Sequence, residues 1–161
     1  MDAVLPQEVL QEVFDQVVRE VTEQEAGIQL CLKDASPKGE LYTVYAAFET
    51  GFHSSLSMCA EESMFTRLTQ NMMDEEEITH EDLEDFTKEY FNVVCGQIAA
   101  KLFHVTRIAS RFGLPVFYSG QYEPQDFQEH FTLKYSSDNN EHVWLIHHTQ
   151  AADTIIHKSR V

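Results

Sequence analysis

The segment from 80 to 105 constrains the chain most, because it is the longest stretch with helical character and its start is well specified. Thr79 is placed as an N-cap, and Asp82 three residues on can return the hydrogen bond, a variant of the capping box. Ile78 and Leu83 flank that cap as a hydrophobic staple, and Glu81 and Asp82 in the first turn suit the positive end of the helix dipole. Projected at about 100° per residue, Leu83, Phe86, Tyr90, Val93, Val94, Ile98 and Leu102 share one broad face. That face must be covered by other parts of the chain.

The flanking segments supply the cover. Residues 6 to 23 predict an amphipathic helix, with Val9, Leu10, Val13, Phe14, Val17, Val18 and Val21 at three- and four-residue spacing and Pro6 near the first turn. From Gly27 the period changes to two: Ile28, Leu30 and Leu32 alternate with Gln29, Cys31 and Lys33. Turns at 36–39 and 49–51 then separate strands at 41–48 and 52–58, so that three strands form an antiparallel meander. Helix is expected again over 60–73, before the acidic stretch Asp74 to Glu77. Strands are expected at 114–118, 131–135 and 143–147, the last two joined as a hairpin through the polar loop 136–141. Residues 149–161 carry little pattern and read as a frayed tail. Strands grouped between helices argue for α+β, an antiparallel sheet packed against long helices, rather than doubly wound α/β. With 161 residues, 43% of them apolar, the chain suits one domain over 1–161.

The side of the long helix away from the core is more informative. Asp85, Glu89, Asn92 and Gly96 fall within an arc of about 60°, with Ala99 and Ala100 beside it. Glu and Asn three apart are common on solvated helix faces, and by themselves signify little. Gly96 costs about 1 kcal/mol relative to Ala in a helix interior, and an Asn there carries a smaller penalty. Close approach of a neighbour would explain the glycine, whether that neighbour is a partner or the protein's own sheet.

The run Asp85-x-x-x-Glu89-x-x-Asn92, followed after 22 residues by Pro115, resembles the signature of the CheC/CheX/FliY chemotaxis phosphatases. Gly96 and Leu102 after the Asn, and the apolar strand from Pro115 to Gly120, agree with it. The resemblance is specific over about 83–120 and covers the rest in outline. A single Glu-x-x-Asn pair and the chain length are closer to CheX than to the two-site CheC and FliY proteins; Gln97 departs from the Asn common in relatives. The resemblance implies a homodimer with a sheet continued across the interface. It also implies a substrate, the aspartyl phosphate of a CheY-type response regulator in chemotaxis or another two-component circuit. Asn92 would orient the attacking water and Glu89 would pair with a regulator lysine. Asp85, Gly96 and Pro115 would be supporting residues, Asp85 near the docking surface and Pro115 shaping the strand beside the helix. The Mg²⁺ ion would belong to the regulator, leaving this chain with no cofactor of its own. The rival expectation is an adaptor of the same shape that binds a regulator without turnover.

Other chemistry finds less support. The eight histidines show no metal-ligand spacing, and His147 and His148, being adjacent, point to opposite faces of a strand. Cys31, Cys59 and Cys95 form neither a C-x-x-C pair nor a disulfide framework, which fits a reducing compartment. Cys95 has no recognisable base and reads as a small buried hydrophobe. A formal net charge of −16 repels phosphate backbones and anionic lipid, so nucleic acid and membrane are not expected as partners. The N-terminal segment lacks a signal-peptide pattern and no apolar run is long enough to span a bilayer; a cytoplasmic protein is expected.

Overall fold

A computed structural model describes residues 6–150. Three helices, α1 (Gln7–Ala26), α2 (Glu62–Met73) and α3 (His80–Thr106), accompany seven strands: β1 (Leu30–Leu32), β2 (Leu41–Thr50), β3 (Ser54–Glu61), β4 (Arg111–Phe112), β5 (Val116–Ser119), β6 (Gln128–Ser137) and β7 (His142–Thr149). The strands form one antiparallel sheet in the order β1-β6-β7-β3-β2-β4, with β5 also pairing β2. The architecture is α+β, as the grouping of strands between helices predicts.

The helices bury one face of the sheet. Val44, Ala46 and Phe48 of β2, Leu56, Met58 and Ala60 of β3, and Val143 and Leu145 of β7 join Leu10, Phe14, Val17 and Val18 of α1 and Phe65 and Leu68 of α2 in a single core. From α3 the core takes Leu83, Tyr90, Phe91, Val94, Cys95, Ile98 and Leu102. Phe86 and Val93, expected there, are only partly buried, while Phe91 and Cys95 are buried fully, so the inward face is turned slightly from its expected centre. Two phenols fix α1 against its neighbours from within this apolar layer: Tyr135 of β6 donates to Asp15 at 2.7 Å, and the Tyr90 hydroxyl of α3 meets that of Thr22. Buried hydroxyls need such partners, because an unpaired one costs about 1–3 kcal/mol.

The start of α3 is as expected. Thr79 Oγ1 accepts from the Asp82 N–H and an Asp82 carboxylate oxygen accepts from the Thr79 N–H, each at 3.0 Å. Its end is set by Arg107, in the left-handed region at φ 63°.

Four expectations about the sheet need correction. β1 does not continue a meander into β2; it lies at the far edge beside β6, pairing Leu30 with Ser137 and Leu32 with Tyr135. Three residues of alternating pattern specify a strand but not its neighbour, and here the longer β6 provides the open edge. β3 runs on to Glu61 instead of yielding to helix at residue 60, because Ala60 sits between Tyr42 and Val143 in the ladder. The strand expected from 114 starts at Val116, since Leu114 is 85% exposed and Pro115 has no N–H to give to a ladder. Thr149 is not part of a frayed tail but closes β7 against Ser54 and Gln128; Gln150 follows it in a bend, and 151–161 lie outside the described residues.

β4 has no counterpart in the sequence reading. It is held where β2 turns into β3. Gly51, at φ 100°, lies so close to Ser110 that a Cβ there would stand 2.5 Å from the Ser110 Cβ. The Gly113 N–H donates to the Ala47 carbonyl at 2.8 Å. The chain leaving α3 is thereby folded back alongside the helix.

Candidate functional site

Because α3 is straight-patterned and anchored along one side, the residues opposite its core face are presented together. Asp85, Glu89, Asn92 and Gly96 are all exposed. Their side chains form no hydrogen bond or ion pair with any described residue, whereas Glu84 on the adjoining row pairs with Lys88 at 3.2 Å. One turn of helix separates Glu89 from Asn92, about 4.5 Å along the axis. A carboxylate and a neutral amide thus point into solvent side by side, held by a rigid element and uncommitted within the chain.

Beyond Asn92 the stripe becomes the floor of a groove of about 530 Å³. One wall is α3, with Asn92, Gly96, Ala99, Ala100 and Phe103; the other is the returning segment Ala109 to Phe112. A Cβ placed on Gly96 would meet nothing within 4 Å. The protein's own sheet is therefore not what requires a glycine there. Phe103 is 39% exposed at the far end of the groove, and Arg111 is engaged by Glu49 at 3.2 Å. The second wall was not foreseen. Its only sequence signal was Gly51, which lies 59 positions before Ser110 and offers no hint of its contact.

Pro115 lies apart from this groove. It is partly buried just ahead of β5, whose pairing with residues 42–45 of β2 it introduces. Among the stripe residues and Pro115, the structure brings together Asn92 and Gly96 in the groove, with Glu89 and Asp85 continuing the same face toward the helix start.

Charge and reactivity fit a docking surface more than a self-contained catalytic centre. Burial pushes the Cys95 thiol well above its ordinary range, so it is protonated and unreactive at neutral pH beneath the groove. His147 faces the core, its ring against Phe14 and Phe131, and His148 takes the opposite face of β7. His142 meets Glu61 at 3.0 Å. Among the described residues, no group of three or more His, Cys, Asp or Glu side chains is placed to hold a metal ion, and no helix is long and apolar enough to cross a membrane.

Comparison with known proteins gives this arrangement a family. No curated protein sequence is significantly similar. The structure is similar to the chemotaxis protein CheX of Desulfovibrio desulfuricans, with a TM-score of 0.66 and 17% identity over 86% of this chain and 97% of the other. It is similar to Borrelia burgdorferi CheX, solved in a complex with CheY, BeF3 and Mg, at TM-score 0.68 and 15% identity over 88% and 98% of the two chains. The middle domain of H. pylori FliM shares the fold at TM-score 0.57 and 11% identity, covering 90% and 94%. Likeness at such identities speaks for the fold alone, and the fold is shared by proteins of more than one name. The sequence match is more specific: residues 42–131, more than half the chain and including all of α3 and Pro115, match the family described as chemotaxis phosphatase CheX. On that match the chain belongs to the CheX family.

Proposed function

We propose that this protein is a phosphatase that removes the aspartyl phosphate of a CheY-type response regulator. The observation that carries the reading is the placement of Glu89 and Asn92 side by side, exposed and uncommitted, on a helix that lies within the match to the family. CheX of Borrelia burgdorferi forms a complex with CheY in the presence of BeF3 and Mg, which supports a regulator as the partner here.

The chemistry asks little of the chain beyond positioning. An acyl phosphate needs a water held in line with phosphorus and compensation of the charge on its oxygens. The regulator's Mg²⁺ supplies most of that compensation. The Asn92 amide both donates and accepts, so it can hold a water at a fixed angle, but it is too weak a base to deprotonate one. Attack of the water oxygen on phosphorus breaks the bond to the aspartyl oxygen, restoring the regulator's carboxylate and releasing inorganic phosphate. Glu89, one turn away, pairs with a cationic side chain of the regulator and sets the depth to which Asn92 enters. Asp85 extends the same acidic approach surface, and a homodimer is the expected assembly.

The test is the lifetime of phosphate on a purified CheY-type regulator, with and without this protein, beside an Asn92→Ala variant. Wild type should shorten the lifetime. Asn92→Ala should lose about 100-fold or more of that acceleration, the scale set by a misplaced reactant, while still binding. If wild type leaves the lifetime unchanged on regulators that it binds, the enzyme reading fails and an adaptor of the same shape remains.

A further inference from the structure

On the face of the sheet away from the helices, a cavity of about 280 Å³ lies between β2 and the segment that joins β5 to β6. Tyr45 reaches it because side chains alternate along β2: Val44 and Ala46 belong to the core, and Tyr45 between them points the other way. One hydroxyl fastens the joining segment over the strand. Thr43 Oγ1 donates to the Gly120 carbonyl at 2.8 Å and accepts from the Tyr122 N–H at 3.3 Å. Tyr122 and Phe127, both partly buried, complete the aromatic lining.

The two tyrosines are set across each other, with ring centroids 5.1 Å apart and planes inclined at 63°. Tyr118 stacks on Tyr122 with parallel planes at 3.9 Å, which backs that ring without entering the lining. Two exposed carboxylates, Glu123 and Asp126, stand around this aromatic corner. Neither forms a hydrogen bond or ion pair with a described residue. Asp126 is close enough to act on Tyr45, whose phenol is held above its ordinary range by burial first, with Tyr122 and this carboxylate adding to the effect.

Aromatic rings with carboxylates beside them are complementary to a cation, since the ring faces attract positive charge and the carboxylates give it hydrogen bonds. A guanidinium suits the corner better than an ammonium, because it is planar, stacks on rings and forks onto a carboxylate. At an open site each such contact is weak, so the cation must be carried on a chain that adds contacts of its own. The arginines of this chain that the structure describes are engaged elsewhere: Arg19 with Asp15, Arg67 with Glu141, Arg111 with Glu49, and Arg107 over the ring of Phe103. We infer that this cavity receives an arginine side chain of a partner protein. The net charge of −16 steers a basic surface toward it. Because α3 packs on the opposite face of the sheet, such a partner does not need the surface around Asn92.

The experiment follows the tyrosine ring resonances of the full chain by NMR during titration with a capped Gly-Arg-Gly peptide. Parallel titrations use the same peptide with lysine or with citrulline, the uncharged isostere of arginine, and methylguanidinium alone. The arginine peptide should shift the Tyr45 and Tyr122 signals saturably, and the citrulline peptide should bind about tenfold more weakly or not at all. Glu123→Gln combined with Asp126→Asn, and separately Tyr122→Leu, should each weaken the arginine peptide by about threefold or more. No saturable shift, equal binding of citrulline, or an undiminished affinity in the carboxylate variant would overturn the site. Lysine binding as tightly as arginine would overturn the choice of guanidinium, and methylguanidinium binding as tightly as the peptide would overturn the polypeptide source. Tighter peptide binding by a Lys158→Gln, Arg160→Gln variant would assign the cavity to this chain's own cations and overturn the partner.

Discussion

Replacing Gly96 by Ala should stabilise the protein while impairing its work on a partner. The position lies 16 residues from the start of α3 at His80 and 10 from its end at Thr106, so it carries the full interior cost of glycine instead of the reduced cost at a fraying end. That cost is about 1 kcal/mol relative to alanine. The added methyl meets nothing within 4 Å, which removes both a steric penalty and a packing gain from the balance. For 161 residues an unfolding entropy of about 2.1 cal/mol/K per residue gives about 340 cal/mol/K, so 1 kcal/mol raises Tm by about 3 °C. Scanning calorimetry of wild type and Gly96→Ala at equal concentration measures this directly, and urea titration with an unchanged m-value checks that the unfolded state is not the source. In the same variant the acceleration of phosphate loss should fall, chiefly through weaker association. A Tm that stays level or drops would refute the reasoning: something other than solvent would then cover Gly96 in the unliganded protein, and a regulator would no longer be needed to explain the glycine.

Two further outcomes follow from polar groups inside the fold. Arg67 of α2 reaches Glu141 at 2.8 Å and Asp138 at 2.7 Å, and Glu141 is only 6% exposed at its side chain. Arg67→Ala should cost about 2–3 kcal/mol in urea unfolding, less than the 3–5 kcal/mol of a fully buried pair because Arg67 itself remains partly exposed; a loss under about 0.5 kcal/mol would show the network to be ornamental. The second outcome concerns acid. Burial first, then the neighbouring His130 and His148, hold the His147 imidazole well below its ordinary range. His148 is also lowered by burial, against the opposing pull of Glu129 and Glu123. His130 and His147 face each other through their Nδ1 atoms at 3.0 Å, one donating and the other accepting. The unfolded chain takes up these protons near pH 6.5 and the folded one does not. Stability is therefore complete above about pH 6.5 and declines below it, by up to about 1.4 kcal/mol per pH unit for each such proton. Thermal melts from pH 7.5 to 5 should show this decline, and His147→Phe should flatten it; an unchanged slope in that variant would remove His147 as its source.

The features legible in the sequence are those decided within one or two helical turns. The capping box at Thr79 and Asp82, the core face of α3 and the exposed row of Asp85, Glu89, Asn92 and Gly96 all depend on spacing alone; the cap and the exposed row stand where the spacing places them, and the core face is turned only slightly, toward Phe91 and Cys95. What the sequence does not display is pairing across distance. Nothing local to Leu30–Leu32 says that its neighbour is β6, whose paired residues Tyr135–Ser137 lie far along the chain, and not the adjacent β2. β4 is still less visible, because two residues have no period and its position depends on the bare backbone of Gly51 fitting against Ser110. The same limit divides the site. The exposed polar row belongs to one helix and could be read directly, while the groove needs a second wall brought back by a long-range contact.

That division has a physical consequence for how such a site can change. Glu89 and Asn92 are fixed by α3, whose inner face is tied into the core by Tyr90, Phe91, Val94 and Ile98. Shifting that row by one position would turn it by about 100°, toward positions that include the buried Tyr90 or Phe91, so its spacing is tied to that of the core. The wall formed by Ala109–Phe112 rests on fewer restraints: the close fit at Gly51, a backbone hydrogen bond from Gly113, the stacking of Phe112 on Phe48 and an exposed ion pair between Arg111 and Glu49. Substitutions there can reshape the groove without moving the Asn92 amide. A helix that fixes the polar row and a returning segment that shapes the groove thus let the two vary separately, although Asn92 borders both. Gly96 is where the two requirements meet, since it gives up helix stability to keep open the space that a partner would fill.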